Sequence, residues 1–308
     1  MISSRRGFSL VEVLVSMAII GTLVSLLLPA IQSAREAARR TQCASRLRQI
    51  AIAANSYHGA HGCFPPGYQG PGEPVEVWPP FEFQFVGHLP YLLPYLEMST
   101  VSDRIAVDLD VRRCDDSWWV DADTYGIAQA QLPVLRCPSA PREQTGAIML
   151  VHYYFEPFPG TVWVSALARN APGDELLGAT DYLGCAGAYG VTDTEWDDYQ
   201  GVFTDRSMTR MKHIVDGVSQ TLLCGETTGA RGDVEYPHAW MGGGPLMTAV
   251  GLGHQAFQFH SEHPGIVQFG FVDGSVRPLI DEIDHHVLMA LGGIADGDVL
   301  GSTLQIQD

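Results

Sequence analysis

The chain has 308 residues, 35 of them acidic and 18 basic, for a formal net charge of −17. Nucleic-acid binding needs a basic footprint on phosphates, so this balance excludes a general nucleic-acid partner. The charge is also segregated: residues 1–48 hold seven arginines against Glu12 and Glu36, a net +5, which leaves −22 for residues 49–308.

At the N-terminus Arg5 and Arg6 precede an apolar run from Phe8 to Leu28, closed by Pro29. About 20 apolar residues span a bilayer as one helix. The positive-inside tendency keeps residues 1–7 cytoplasmic and sends the C-terminal side outward. A cleaved secretory signal has a shorter apolar core and a small-residue cleavage site, neither of which this run shows. A plain anchor fits the length but gives no role to Glu12, whose charge in such a segment costs on the order of 3 kcal/mol.

Gly7-Phe8-Ser9-Leu10-Val11-Glu12-Val13-Leu14 resembles the cleavage and methylation site of type IV prepilins and type II secretion pseudopilins. The resemblance implies that a prepilin peptidase cuts between Gly7 and Phe8 and methylates Phe8, the new N-terminus. Glu12 then takes the place of the family's fifth-residue glutamate, which pairs with the first-residue amine of a neighbouring subunit. Such a buried charge sets register between helices, as a buried polar group does in a coiled coil. Pro29 falls where many pilins carry a proline. The implied location is the cytoplasmic (inner) membrane, crossed once, with the head extracytoplasmic.

Beyond Pro29, Ile31, Ala34, Ala38, Thr41, Leu47, Ile50, Ala54 and Tyr57 recur at helical spacing, with arginines mainly between them. Pro29 should therefore kink the helix rather than end it. Gly59, Gly62 and Pro65-Pro66 should stop it. The expected division is a leader (1–7), a transmembrane half-helix (8–29), an amphipathic half-helix packing its stripe on the head (30–58), and the head itself (59–308). From Phe8 to His58 the helix would run about 75 Å.

Six cysteines, Cys43, Cys63, Cys114, Cys137, Cys185 and Cys224, are an even number in a chain that reads as exported, where disulfides are plausible. Fifteen pairings are possible. Proximity favours Cys43–Cys63 and Cys114–Cys137, with free buried thiols as the alternative. No CxxC pair marks a structural zinc site, so no metal is expected.

In the head, Pro90 to Glu97 and residues 280–292 read as short helices, while residues 65–80 and 155–175 read as loops. Asp273-Gly274 between Ile266–Val272 and Ser275–Ile280 predicts a hairpin with a type I′ turn, a conformational role for Asp273. Asp216-Gly217 predicts a second turn entering a strand. The fold class is α+β: a pilin-like long N-terminal helix packed on a mostly antiparallel β head.

His263 and, after nine residues, Asp273-Gly274 match an H-x9-DG signature. Together with Ala34–Arg40, Phe64-Pro65-Pro66-Gly67, Leu93–Glu97, Cys137-Pro138-Ser139 and Ile214–Gly217, it resembles the planctomycete-type exported family catalogued as DUF1559 and sometimes labelled solute-binding. The resemblance implies the architecture and says little of a ligand.

His254, His260 and His263 cluster with Glu262, and His285-His286 follow. On an extended strand His260 and His263 would face opposite ways, which argues against a shared metal. Asp193, Glu195, Asp197 and Asp198 form an acidic loop that could offer oxygens to a structural Ca2+, though its spacing matches no EF-hand. No nucleophile elbow or phosphate loop is present, so hydrolytic chemistry has no support. Trp118-Trp119 reads as a buried pair or, less simply, a sugar-stacking platform. The leading expectation is a structural subunit with membrane, prepilin peptidase and other pilin-like subunits as partners. The alternative is a helix-tethered solute- or glycan-binding module.

Overall fold

The computed structural model describes residues 10–70, 83–113, 117–140, 148–158, 161–170, 176–190, 198–229, 237–254 and 257–297, with 148–158 and 161–170 described by their backbone. The chain divides into two compact units, Met1–Thr41 and Gln42–Asp308.

Helix α1 spans Leu10–His61 and continues through Pro29. Its apolar N-terminal part is long and hydrophobic enough to cross a membrane, with a mean hydropathy of 2.3. That part is bare: Leu10 is 75% and Leu26 69% exposed. Its hydroxyls return their protons to the helix backbone, Ser16 to the Glu12 carbonyl and Thr22 to the Ala18 carbonyl, both at 2.8 Å. This satisfies the hydroxyls within the helix itself.

Burial on α1 begins at Cys43 and takes in Leu47, Ile50, Ala51, Ala53 and Ala54. These last turns of the helix belong to the second unit and form part of its core. Gly62, at φ 75°, terminates α1 by donating its N–H to the His58 carbonyl at 2.8 Å. A left-handed glycine is the usual helix stop. Gly59 stays inside the helix.

After α1 come α2 (Leu89–Leu92), continued by a 3₁₀ turn to Leu96, then α3 (Ser99–Ser102) and α4 (Ala122–Ala128). Strands β1 (Ile148–Phe158), β2 (Thr161–Asn170), β6 (His238–Ala239) and β3 (Ala179–Thr180) form one sheet, in the order β2-β1-β6-β3. Strands β4 (Tyr182–Gly184), β5 (Leu222–Glu226), β7 (Ile266–Phe271) and β8 (Val276–Ile280) form a second, in that order and antiparallel throughout. Helix α5 covers His285–Gly292, capped by the Asp284 carboxylate accepting from the N–H groups of His286 and Val287.

Two local expectations are corrected. Within the expected loop 155–175, residues 155–158 and 161–170 are strand, while 159–160 and 171–175 lie outside the described residues: β1 and β2 pair antiparallel from Ile148↔Asn170 to Phe158↔Thr161, with a register shift between Phe155 and Phe158. Pro157 lies in that shift, where a missing N–H does least harm, so its presence did not argue against a strand. The second correction concerns the Asp273-Gly274 turn. The hairpin forms, with Ile266 opposite Ile280 and Gly270 opposite Val276. Only Gly274 has positive φ, at 83°; Gly274 N–H donates to the Phe271 carbonyl and Phe271 N–H to the Ser275 carbonyl. That is a three-residue loop with a glycine bulge, not a type I′ turn.

The core of the second unit is rich in aromatic rings. Trp118, Trp240, Tyr68, Phe203, Phe259 and Phe269 are buried. Trp118 packs edge-on to Trp119, whose ring stacks on Phe85 with centroids 5.4 Å apart. Trp118 is core, while Trp119 is half-buried against it with its ring stacked on Phe85.

Candidate functional site

Four donors from four parts of the head converge in the core. Cys43 comes from the buried face of α1, one turn before Leu47. Cys137 follows the 3₁₀ turn Pro133–Leu135. Glu226 ends β5 opposite Tyr182 of β4, and His263 lies in the irregular segment leading into β7. All four are buried, and one ligand atom from each lies within 4.8 Å of every other. The two sulfurs are 2.6 Å apart, the Cys137 Sγ is 3.9 Å from His263 Nε2, and that nitrogen is 3.4 Å from Glu226 Oε1.

The surroundings fix each donor. Gln268 N–H donates to Glu226 Oε2 at 3.0 Å, aiming Oε1 into the cluster. The Glu226 carbonyl accepts from His260 N–H at 2.9 Å, which ties the histidine-bearing segment to the end of β5. His263 N–H donates to Ser261 Oγ at 3.1 Å. Cys137 N–H donates to Asp181 Oδ2, and Arg136 Nε meets the same oxygen at 3.0 Å. Arg46, one turn along α1 from Cys43, donates to the Arg136 carbonyl, so one helix face holds both Cys43 and the chain entering Cys137.

The electrostatics split the sulfur pair. Cys43, hydrogen-bonded to Cys137 and buried, has its thiol pushed well above the ordinary range. Cys137 is pulled below it, by the same contact with Cys43 and by His263. Burial also raises the Tyr182 phenol beside Cys43, assisted by the charges of Cys43 and Cys137. Burying a carboxylate, an imidazole and two polarisable sulfurs together is costly unless they share a proton or a cation.

A cavity of about 510 Å³ opens beside the cluster, with His263 in its wall together with His254, His260, Glu262, Asp281 and Glu282. His254 and His260 have ring centroids 3.7 Å apart, and His260 Nε2 is 3.6 Å from Glu262 Oε1. His260 and His263 lie outside the strands. The alternation argument that set them on opposite faces therefore does not apply, and both reach the same cavity.

Among the residues singled out from sequence, His263 and Cys137 meet. Cys43 joins them rather than Cys63: the helix separates the latter pair by 18 residues to His61 alone, about 27 Å, far beyond disulfide reach. The expected Cys43–Cys63 bond is thereby corrected. Cys185 and Cys224 are buried thiols raised to about 12 by burial. Asp273 and Gly274 sit at the far end of β7 from His263, where Asp273 Oδ1 accepts from Ser275 N–H at 2.8 Å. The two halves of the signature therefore do different work, His263 in the cluster and Asp-Gly in the turn. Glu12 is exposed on α1. Gly7, Phe8, Cys114, Asp193, Glu195 and Asp197 lie outside the described residues.

Glu226 escaped sequence reasoning altogether. Its signal was a lone charge ending the apolar run Leu222-Leu223-Cys224-Gly225, and Cys43 had one too, falling a turn before Leu47 on the apolar stripe.

No curated protein and no solved structure matches the chain. Residues 2–28 match the model of the prokaryotic N-terminal methylation motif, which together with the bare apolar part of α1 identifies a membrane-anchored, type IV pilin-like subunit of the kind that prepilin peptidase processes. Residues 32–256, well over half of the chain, match the model described as protein of unknown function DUF1559, and the chain belongs to that family.

Proposed function

We propose that the protein is a structural subunit, cut between Gly7 and Phe8 and methylated on Phe8, that joins a filament or a type II secretion-like assembly through the N-terminal part of α1. The observation that carries this reading is the bare apolar helix with a single carboxylate, Glu12, next to a methylation motif. A charge inside a membrane is tolerated where an opposite charge can reach it, and the free amine of a neighbouring subunit's Phe8 would be such a charge. The head would lie on the extracytoplasmic side, in keeping with Arg5 and Arg6 ahead of the apolar run. Prepilin peptidase and other pilin-like subunits are the partners this reading requires.

The test is intact and N-terminal mass spectrometry of the protein taken from its native membrane. A mature start at methylated Phe8 supports the reading. An uncut Met1 start overturns it and leaves a simple tether for the head.

A further inference from the structure

We propose that Cys43, Cys137, His263 and Glu226 form a binding site for a thiophilic divalent cation of the zinc class. The site is independent of the role of the N-terminal helix. Two sulfurs, one imidazole and one carboxylate are a sufficient four-coordinate donor set for zinc. The sulfurs select a soft or borderline ion, while the carboxylate oxygen favours a divalent one over Cu(I).

Three observations point to an ion rather than a simple core. Glu226 Oε1 is buried without a hydrogen-bond donor, its near neighbour being His263 Nε2 at 3.4 Å. Its companion Oε2 is already held by Gln268 N–H, so the carboxylate is locked with one oxygen aimed at the sulfurs. Such outer contacts are what orient a metal ligand. Finally, the cavity lined by His254, His260 and Glu262 reaches His263, giving an ion a route lined with weak ligands to an otherwise closed site.

The sulfurs stand 2.6 Å apart. With metal–sulfur bonds of about 2.3 Å, a tetrahedral edge is about 3.8 Å, so loading must spread the pair by roughly an ångström. Both sulfurs would bind as thiolates, so any protons they carry leave for solvent and no electron is transferred. The competing fate is a Cys43–Cys137 disulfide, formed with loss of two electrons and two protons to a thiol oxidase of the exported compartment. That bond would consume both sulfurs and leave Glu226 and His263 aimed at a group that needs neither a negative oxygen nor a basic nitrogen. For that reason the donor arrangement favours the ion.

The test uses the full-length protein in detergent, purified from membranes without chelator. Elemental analysis should find one equivalent of zinc. The stripped protein should take up Zn2+ against a chromophoric chelator. With Co2+ it should develop the thiolate charge-transfer band and visible bands of a tetrahedral site. His263→Ala and Glu226→Gln, which remove direct donors, should weaken Zn2+ binding by at least the roughly 10- to 100-fold that losing an outer contact costs. Cys63→Ser, at a half-buried cysteine outside the cluster, should leave the affinity unchanged. Should the ligand variants fail to fold, the wild-type protein still decides, because stripping the ion should lower its melting temperature and restoring Zn2+ should recover it. A metal-free protein whose Cys43 and Cys137 peptides are joined and two hydrogens lighter would overturn the proposal. So would Zn2+ binding that His263→Ala leaves untouched.

Discussion

Asn55 donates from Nδ2 to the backbone carbonyl of Val272 at 2.9 Å, joining the last turns of α1 to the hairpin loop 217 residues away. The same amide donates to the Ala51 carbonyl at 2.9 Å, so the side chain is held by its own helix while it reaches across. Val272 is fully buried and its carbonyl has no water to turn to. Asn55→Ala should therefore destabilise the head by about 1–3 kcal/mol, the cost of an orphaned buried acceptor. Asn55→Asp should do worse, since a carboxylate would face a carbonyl oxygen. Urea unfolding of the three proteins checks the order.

His88 gives the head a built-in acid sensitivity. It is fully buried and stacks on Phe203 with centroids 4.7 Å apart. Burial depresses its pKa to about 3. Below the ordinary imidazole value near 6.5 the unfolded chain binds a proton that the folded chain refuses, so stability falls as pH falls toward 3 and is fully present above 6.5. The loss approaches about 1.4 kcal/mol per pH unit inside that window. In His88→Leu this contribution should vanish, leaving a shallower fall in the urea midpoint between pH 6.5 and 4. An unchanged slope would show that His88 is protonated inside the fold.

Which parts of this architecture were legible in the sequence follows from how local the physics is. The helix α1 and the β7–β8 hairpin could be read because a 3.6-residue stripe and an Asp-Gly turn are written within a few residues of one another. The strands β1 and β2 were hidden behind Pro157, a residue that usually argues against a strand but here lies at a register shift within β1. The cluster was least legible, since its members lie 94 residues apart (Cys43 and Cys137) and 126 apart (Cys137 and His263). Nothing local distinguishes a cysteine that meets a distant histidine from one that fills a core.

Two glycines should respond in opposite directions to alanine. Gly187 sits at φ 79°, and a Cβ there would lie 2.0 Å from the Tyr199 carbonyl oxygen and 2.3 Å from the Gly201 nitrogen. Backbone cannot retreat as a side chain can, so Gly187→Ala should cost more than about 3 kcal/mol. Gly59 lies within α1 and a Cβ there meets nothing within 4 Å. Gly59→Ala should stabilise by roughly 0.5–1 kcal/mol, because alanine loses less backbone freedom in a helix. Thermal melts of the two variants should bracket the parent protein.

Glu12 separates insertion from assembly because the two respond to it with opposite sign. Its carboxylate stands in an apolar, uncovered stretch where Leu10, Val11, Val13 and Leu14 are all exposed. Replacing it with leucine removes a penalty on the order of 3 kcal/mol for placing a charge in a bilayer, so Glu12→Leu should remain fully membrane-inserted. It lies in the first compact unit, outside the core that begins at Cys43, so the variant's head should unfold at the parent urea midpoint. If the carboxylate pairs with a neighbouring subunit's amine, in vivo crosslinking between copies should nonetheless collapse. Glu12→Gln tests whether charge or hydrogen bonding is required: it keeps the shape and loses the ion pair, and should assemble as poorly as the leucine variant. Crosslinking that survives both substitutions would mean that the helix holds its neighbours by apolar packing alone.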